Sequence, residues 1–402
     1  MFIKDNSLKK YVVIGIGFGD EGKGLTTDYL CHRLIQEGRK PLVVRFSGGQ
    51  QAGHTVHRDI IEHTFSNFGS GSILGVPTYW SKYCTFDPVG ALNEYYTLIH
   101  KGVHPSLVIH KDCPVTTPYD KYAQQSCENN REHGTCGTGF GTTLQREEDH
   151  YKLRVEDLKH PRIVRMKLQL IAKYYGIKGS DLKNFEEEVE SFLEDCRISM
   201  MYFETTDLDE VGYISEKNTY GNALVYEGSQ GLLLDKDIGF FPHVTRSNTD
   251  CTNIRSPLDE IFLVTRGYNT RHGNGPLSTY PIKAEFNNPF ESNEHNKFQG
   301  KFRKGYLDLD LLSYGLDKAT LPPPAPWTTF NLMITCLDVL EKNNNWKFVT
   351  DGKLIECKDE FDFVNKVSGH LLPKAKVKVS RGPRATSIDS YFEKKHEERK
   401  IG

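Results

Sequence analysis

Apolar residues fall in short blocks along this chain, and several of the gaps between them are dense in glycine. Tyr11 to Ile14 are continuous and β-branched or aromatic, which predicts a buried strand. Glycines follow at 15, 17, 19, 22 and 24, and from Leu25 to Ile35 apolar residues recur at helical spacing. Leu42 to Phe46 predict a second strand, followed at once by Gly48, Gly49, Gln51, Gly53 and His54. Farther on, Pro88 opens a predicted helix through ALNEYYTLIH, Leu107 to His110 a brief strand, and PVTTPYDKYAQQ another helix. Residues 159 to 218 read as mostly helical and charged, with EEEVE a solvated face. Leu224 to Tyr226 end a strand, Glu227 to Gly231 form a turn, and residues 331 to 340 hold a buried strand running up to Asp338. Leu321 to Pro326 predict a stiff crossing loop.

Strand, glycine loop and helix together make a phosphate cradle. Small residues let backbone N–H groups approach an anion, and the helix start adds partial positive charge. Gly17 to Lys23 satisfies G-x-x-x-x-G-K, but Gly24 stands where such loops carry the Ser or Thr that holds magnesium. Asp20, inside the loop, is a carboxylate aimed at phosphates; repulsion disfavours it there unless a metal or a proton-transfer role accounts for it. In an open α/β sheet the loops after neighbouring strands meet at the carboxyl edge, so Asp20 and His54 are expected to face one crevice.

Bulk properties narrow the classes. The chain has 402 residues, 37% hydrophobic and 26% charged, with a formal charge of −2. That balance gives no electrostatic case for nucleic acid or an acidic membrane. No apolar run approaches the roughly 18 residues that a bilayer span needs, and MFIKDNSLKK lacks a signal core. Nine scattered cysteines without a C-x-x-C pair suit reduced thiols and a cytoplasmic location.

GDEGKG followed by GGQQAGHT resembles adenylosuccinate synthetase, whose pattern is close to GDEGKG…GGxNAGHT. The resemblance extends over about residues 11 to 390. VYEGSQGLLLDKDIGFFPHVTRSNT is similar to the family's FEGAQGTLLDxDxGTYPxVTSSN, and FLVTRGYNTRHGNGPLSTY, less closely, to its strand and YSTRVGxGPFPTE turn. Residues 131 to 158 resemble GTTGRGIGP followed by LRVxDL, with Cys136 in place of a second Thr. The family's downstream arginine, which reaches the neighbouring subunit's substrate phosphate, aligns with His150, one helical turn past Arg146. HNKFQGKFRKGYLDLDLL resembles the shorter WQGxxRxG variant of archaeal and some phage members, NLMITCLDVL the family's LTKLDVL, and KVKVSRGPRAT its STGPxR loop.

What the resemblance implies is a single domain over residues 1–402, α/β, around a large, mainly parallel sheet with a P-loop-like GTP site. The N-terminal loops would lie in 11–57 and guanine recognition in 331–390. The implied reaction joins IMP and L-aspartate with GTP and one Mg2+ per subunit, through a 6-phosphoryl intermediate, usually in a homodimer. Asp20, His54 and Gln230 would be catalytic. Gly19, Glu21, Gly22, Lys23, Gly24, Thr55, Asp338, Ser380 and Gly382 would bind GTP. Asp20, Gln51, Ala52, Thr135, Cys136, Gln230 and Thr245 would bind IMP, and Arg303 the aspartate, with Lys301 and Lys304 as weaker candidates. Asp20 and the Gly53 carbonyl would hold the metal. Cys336, where the family stacks a lysine on the base, weakens the case for GTP over ATP. Two rivals stay open: the phage-type ligase that joins aspartate to dGMP, and a guanine-nucleotide switch module.

Overall fold

In the computed structural model residues 7–126, 136–179, 183–217, 222–277, 286–293, 300–322 and 325–391 are described. The strands of the first half are β1 (Lys9–Gly15), β2 (Pro41–Arg45), β3 (His54–Arg58), β4 (Ile61–Phe65), β5 (Thr78–Trp80), β6 (Leu107–His110), β7 (Glu204–Thr206) and β8 (Ala223–Gly231). The second half adds β9 (Glu260–Arg266), β10 (Tyr268–His272), β11 (Phe302–Asp308), β12 (Thr329–Thr335), β13 (Lys347–Thr350), β14 (Lys353–Glu356), β15 (Lys376–Ser380) and β16 (Ile388–Ser390). Ten of these form one sheet in the order β16-β15-β12-β9-β1-β8-β2-β5-β6-β7. Its pairs are parallel except for β16, which runs antiparallel to β15.

β1 explains why the sheet is buried on both faces. Val12 and Ile14 feed one apolar cluster, while Tyr11 and Val13 feed another that contains Leu30 and Leu34. Alternate residues of a strand point to opposite faces, so an unbroken apolar run requires cover on both. The helix Lys23–Gln36 supplies one cover through its apolar stripe. Helices Leu309–Lys318 and Glu360–Leu371 contribute Leu312, Phe363 and Val367 to the other. The helices between residues 88 and 202 build a separate cluster around β5 and β6. Among the described residues no helix is long and apolar enough to cross a membrane. The eight described cysteines are all unpaired.

Three local expectations change. β1 and β2 are not neighbours, because β8 lies between them and pairs with both. Glu227 to Gly231 continue β8 rather than turning away from it. The strand through residues 331 to 335 stops at Thr335, and Asp338 sits in the first turn of helix Leu337–Lys342, preceded by Cys336 in the left-handed region at φ 60°. The segment 321–326 falls partly outside the described residues.

The extension of β8 brings Gly231 against the phosphate loop. A Cβ there would overlap the Gly17 carbonyl oxygen and the Glu21 carboxylate, neither of which can withdraw cheaply. Gly231→Ala is therefore expected to lower unfolding stability by about 1–3 kcal/mol. Gly369→Ala, on the exposed side of a helix with nothing within 4 Å, should raise it by roughly 0.5–1 kcal/mol. Urea unfolding of the two variants checks the contrast.

Candidate active site

The loop between β1 and the helix Lys23–Gln36 is organised by its own acid. One oxygen of Glu21 accepts from the Gly17 and Gly19 amides at 3.0 and 2.8 Å, and the other meets Lys23 Nζ at 2.9 Å. Glu21 and Lys23 are both buried. Glu21 thus satisfies amides that would otherwise wait for an anion. It leaves Asp20, at φ 59°, turned into a cavity of ≈ 860 Å³.

Asp20 is gripped at both ends. Its carbonyl accepts from Arg266 Nε, and its carboxylate lies 3.3 Å from His272 Nε2. Burial pushes this carboxyl up, but the hydrogen bond and charge of His272, with Arg266 and Lys23, outweigh it and hold the group below the ordinary aspartate range. Burial pulls His272 down, and its bond to Asp20 more than reverses that. Arg266 in turn contacts the Tyr268 hydroxyl at 3.0 Å and pairs with Glu291 at 2.6 Å.

His54 enters the same cavity from the start of β3. Its Nδ1 lies 2.8 Å from Glu227 and its Nε2 3.2 Å from the Ser229 carbonyl. Glu227 also accepts from the Ser70 hydroxyl and amide and faces Arg45 at 3.8 Å. Burial raises the Glu227 carboxyl, yet His54, Arg45 and Ser70 outweigh it and bring it to about 2. Burial dominates at His54 and lowers its proton affinity despite the Glu227 charge. The ring therefore offers Nδ1–H to an ionised partner.

This packing explains Gly24. A Cβ at that position would stand 2.8 Å from His54 Cβ and 3.1 Å from Ser70 Oγ. The hydroxyl residue of an ordinary phosphate loop has no room there, because the Cβ and backbone of His54 and the Ser70 hydroxyl fill its space.

The cavity wall gathers most of the expected residues. Gly19 to Gly24, Gln51, Ala52, Gly53, Thr55, Cys136, Gln230, Thr245, Asp338 and Gly382 all line it. Gln230 accepts from the Ser229 hydroxyl at 2.8 Å. Burial, with the charge of Asp20, pushes the Cys136 thiol up to about 12, so it is a neutral, weak donor. Thr135 lies outside the described residues. Ser380 is fully buried and bonds the Gly382 carbonyl and Ser387. Arg303 is not in the wall; it donates to the Gly275 carbonyl at 2.8 Å from β11. Its cross-strand partner Arg271 does line the cavity, and burial together with the Arg303 charge lowers Arg271 to about 10. Lys304 donates to the Phe286 carbonyl at 2.8 Å. Arg146 is buried on Asp120 at 2.9 Å, and His150 is exposed at φ 68°.

A family model described as adenylosuccinate synthetase matches residues 12–367. The chain belongs to the adenylosuccinate synthetase family. It is thus a member of a family of GTP-dependent ligases of purine-nucleotide biosynthesis. The adenylosuccinate synthetase of Picrophilus torridus is 29% identical over 383 residues, covering 92% of this chain and 85% of the relative. Two solved structures share the fold at lower identity. A fully ligated adenylosuccinate synthetase from Plasmodium falciparum has TM-score 0.72 and 18% identity, over 94% of this chain and 98% of the other. The succinoaminodeoxyadenylate synthetase of cyanophage S-2L, bound to dGMP and dATP, has TM-score 0.64 and 14% identity, over 96% and 95%.

Among the described residues of this family member, no group of three His, Cys, Asp or Glu side chains is arranged to hold a metal. The donor set nonetheless fits magnesium, which takes one or two protein oxygens and completes its shell with phosphate and water. Asp20 and the Gly53 backbone both face the cavity.

Glu227, His272, Arg266 and Arg271 were not picked out by sequence reasoning. Glu227 carried one signal, a carboxylate directly after the apolar run Ala223 to Tyr226. His272 carried another, an imidazole where the similar TRVG turn has Val.

The Glu227 carboxyl is depressed from 4.5 to about 2, so its contribution is fully present above pH 4.5 and is lost as pH falls toward 2. Glu227→Gln is expected to cost on the order of 3 kcal/mol at neutral pH. That deficit should shrink as unfolding is measured between pH 5 and 2.

Proposed function

We propose that this chain joins IMP to L-aspartate at the expense of GTP. The reading is carried by one juxtaposition: an ionised carboxylate inside a phosphate loop and a carboxylate-backed imidazole opening on the same cavity. A purine carbonyl oxygen is a poor leaving group and needs activation. Asp20 takes the proton from N1, and the electron pair moves onto the 6-oxygen. That oxygen attacks the γ-phosphorus of GTP, the bond to the β-phosphate oxygen breaks, and GDP leaves. The aspartate amine then attacks C6, loses a proton, and expels the 6-oxygen as inorganic phosphate.

Each of the chain's residues has a definite task in this scheme. His54, held at Nδ1 by Glu227, would exchange the Ser229 carbonyl now at its Nε2 for the 6-oxygen and, once protonated, donate to it as negative charge grows. Lys23 and the free loop amides balance the phosphates. Gln230 and Thr245 hold the purine edge and its phosphate, and Asp338 accepts from the guanine edge, backed by Gly382. A magnesium ion held by Asp20 and the Gly53 carbonyl would neutralise charge on the transferring phosphoryl group. Arg271 supports a role for the β10–β11 pair in holding aspartate, with Arg303 one strand behind it.

A second reading, dGMP in place of IMP, rests on the phage-like Arg303 segment and on Gln51 and Cys136 in the cavity wall, where the family patterns carry Asn and Thr. Asp20 favours IMP, since phage ligases of that kind often carry a smaller residue at this loop position. Phosphate release with IMP and dGMP side by side, under GTP and ATP, separates the two. Release with GTP, IMP and aspartate together, and none without aspartate, is the expected result. Release that ignores aspartate would instead mark a nucleotide hydrolase or switch.

Asp20→Asn should lower turnover with IMP at least about a hundredfold, the usual size of base catalysis. His54→Asn should lower it by about 10²–10³ through lost charge stabilisation. Normal turnover in either variant, measured by phosphate release, would remove that residue from the scheme.

A further inference from the structure

We infer that Arg246 is the cation that holds the 5′-phosphate of the nucleotide substrate, supplied by the same chain that carries Asp20 and His54. This rests on the purine-nucleotide reading above and adds a specificity-determining residue to it.

Arg246 follows Thr245 directly, and both line the cavity. The side chain is exposed, and its guanidinium donates to the Gln145 amide oxygen on helix Phe140–Glu148. Its stem lies over the first turn of that helix: a Cβ on Gly141 would sit 3.6 Å from Arg246 Cδ and 3.9 Å from Nε. The first turn of a helix leaves amide N–H groups without intrahelical partners. The wall nearby carries polar groups that lack any partner. Both amide atoms of Gln51 and the hydroxyl of Thr138 are buried with no hydrogen bond in the protein. Unpaired buried donors and acceptors of this kind call for a ligand.

The charge ledger of the cavity singles out the same residue. Lys23 is tied to Glu21, and Arg266 to Glu291. Arg271 donates to the carbonyls of Asn274, Pro276 and His243. Arg146, on the same helix as Gln145, is buried against Asp120 and the Val115 and Tyr151 carbonyls, so it cannot turn outward. Arg246 is different. Among the described residues it forms no ion pair and holds only a neutral amide. Asp149 is close enough for its carboxyl to feel the Arg246 charge, but its Oδ2 is already bonded to Gln145 and Tyr174. A planar guanidinium whose stem crosses a helix start, adjacent in sequence to Thr245 and sharing one cavity wall with Thr138 and Gln51, is suited to a doubly charged phosphate that it can bind through two parallel N–H bonds.

The test compares IMP with inosine, which lacks the phosphate, in the full-length protein and in Arg246→Met and Arg246→Lys. Arg246→Met should raise KM for IMP by about tenfold to a hundredfold, the loss expected for charge-assisted hydrogen bonds. KM for GTP and for aspartate should stay within about twofold, with kcat retained, and Arg246→Lys should recover most of the IMP affinity. Binding of inosine, by calorimetry, should be equal in all three proteins. The inference is overturned by an unchanged IMP KM in Arg246→Met, by equal losses for IMP and inosine, or by a rise in aspartate KM alone. Should Arg246→Met fold poorly, the Lys variant and the salt dependence of IMP binding by wild type decide: a salt-independent affinity overturns the inference. Failure of the wild type to release phosphate with IMP or dGMP would remove the functional reading itself. Normal wild-type activity with no Arg246 effect removes the inference alone.

Discussion

Glu227 is the point on which the site turns. It is a fully buried carboxylate at the middle of β8, the strand inserted between the two that carry the glycine loops. A lone buried charge is costly, and this one is compensated by His54, Ser70 and Arg45, each from a different stretch of chain. The carboxylate fixes where the imidazole points, and the Cβ and backbone of the same histidine, with Ser70, leave no room for a side chain at residue 24. The orientation of His54 is a consequence of one buried anion.

A second carboxylate does comparable work in the first loop. Glu21 draws the Gly17 and Gly19 amides inward and binds Lys23, so the loop holds its shape without a nucleotide. Asp20 is then forced outward in a left-handed conformation that aspartate tolerates better than most residues. Held by Arg266 at its carbonyl and His272 at its carboxylate, it has little orientational freedom left to lose on binding substrate.

The two glycine loops, the helix between them and the residues at 20, 23 and 54 were legible in sequence because each depends on local spacing. Phosphate cradles and helix starts are short-range features. What stayed hidden depends on residues far apart in the chain. Nothing near Glu227 announces that β8 separates β1 from β2, and nothing near Arg266 or His272 announces Asp20, some 250 positions earlier. Cys336 was legible as a departure, but not that it takes a left-handed turn placing Asp338 on a helix. Arg303 was chosen from the resemblance of its segment and the chemistry of its guanidinium, and register then paired it with Arg271, which lines the cavity. Side-chain type is written in the sequence; which strand stands before which is decided by the sheet.

The sheet itself ends in two three-residue strands, β7 and β16. A broad stack of parallel strands would otherwise offer long rows of unpaired amides and carbonyls to any passing chain. Brief outermost strands leave too few such groups for another polypeptide to zip onto. The molecule can therefore carry a wide, rigid platform for its ligands without that platform becoming a seed for fibrils.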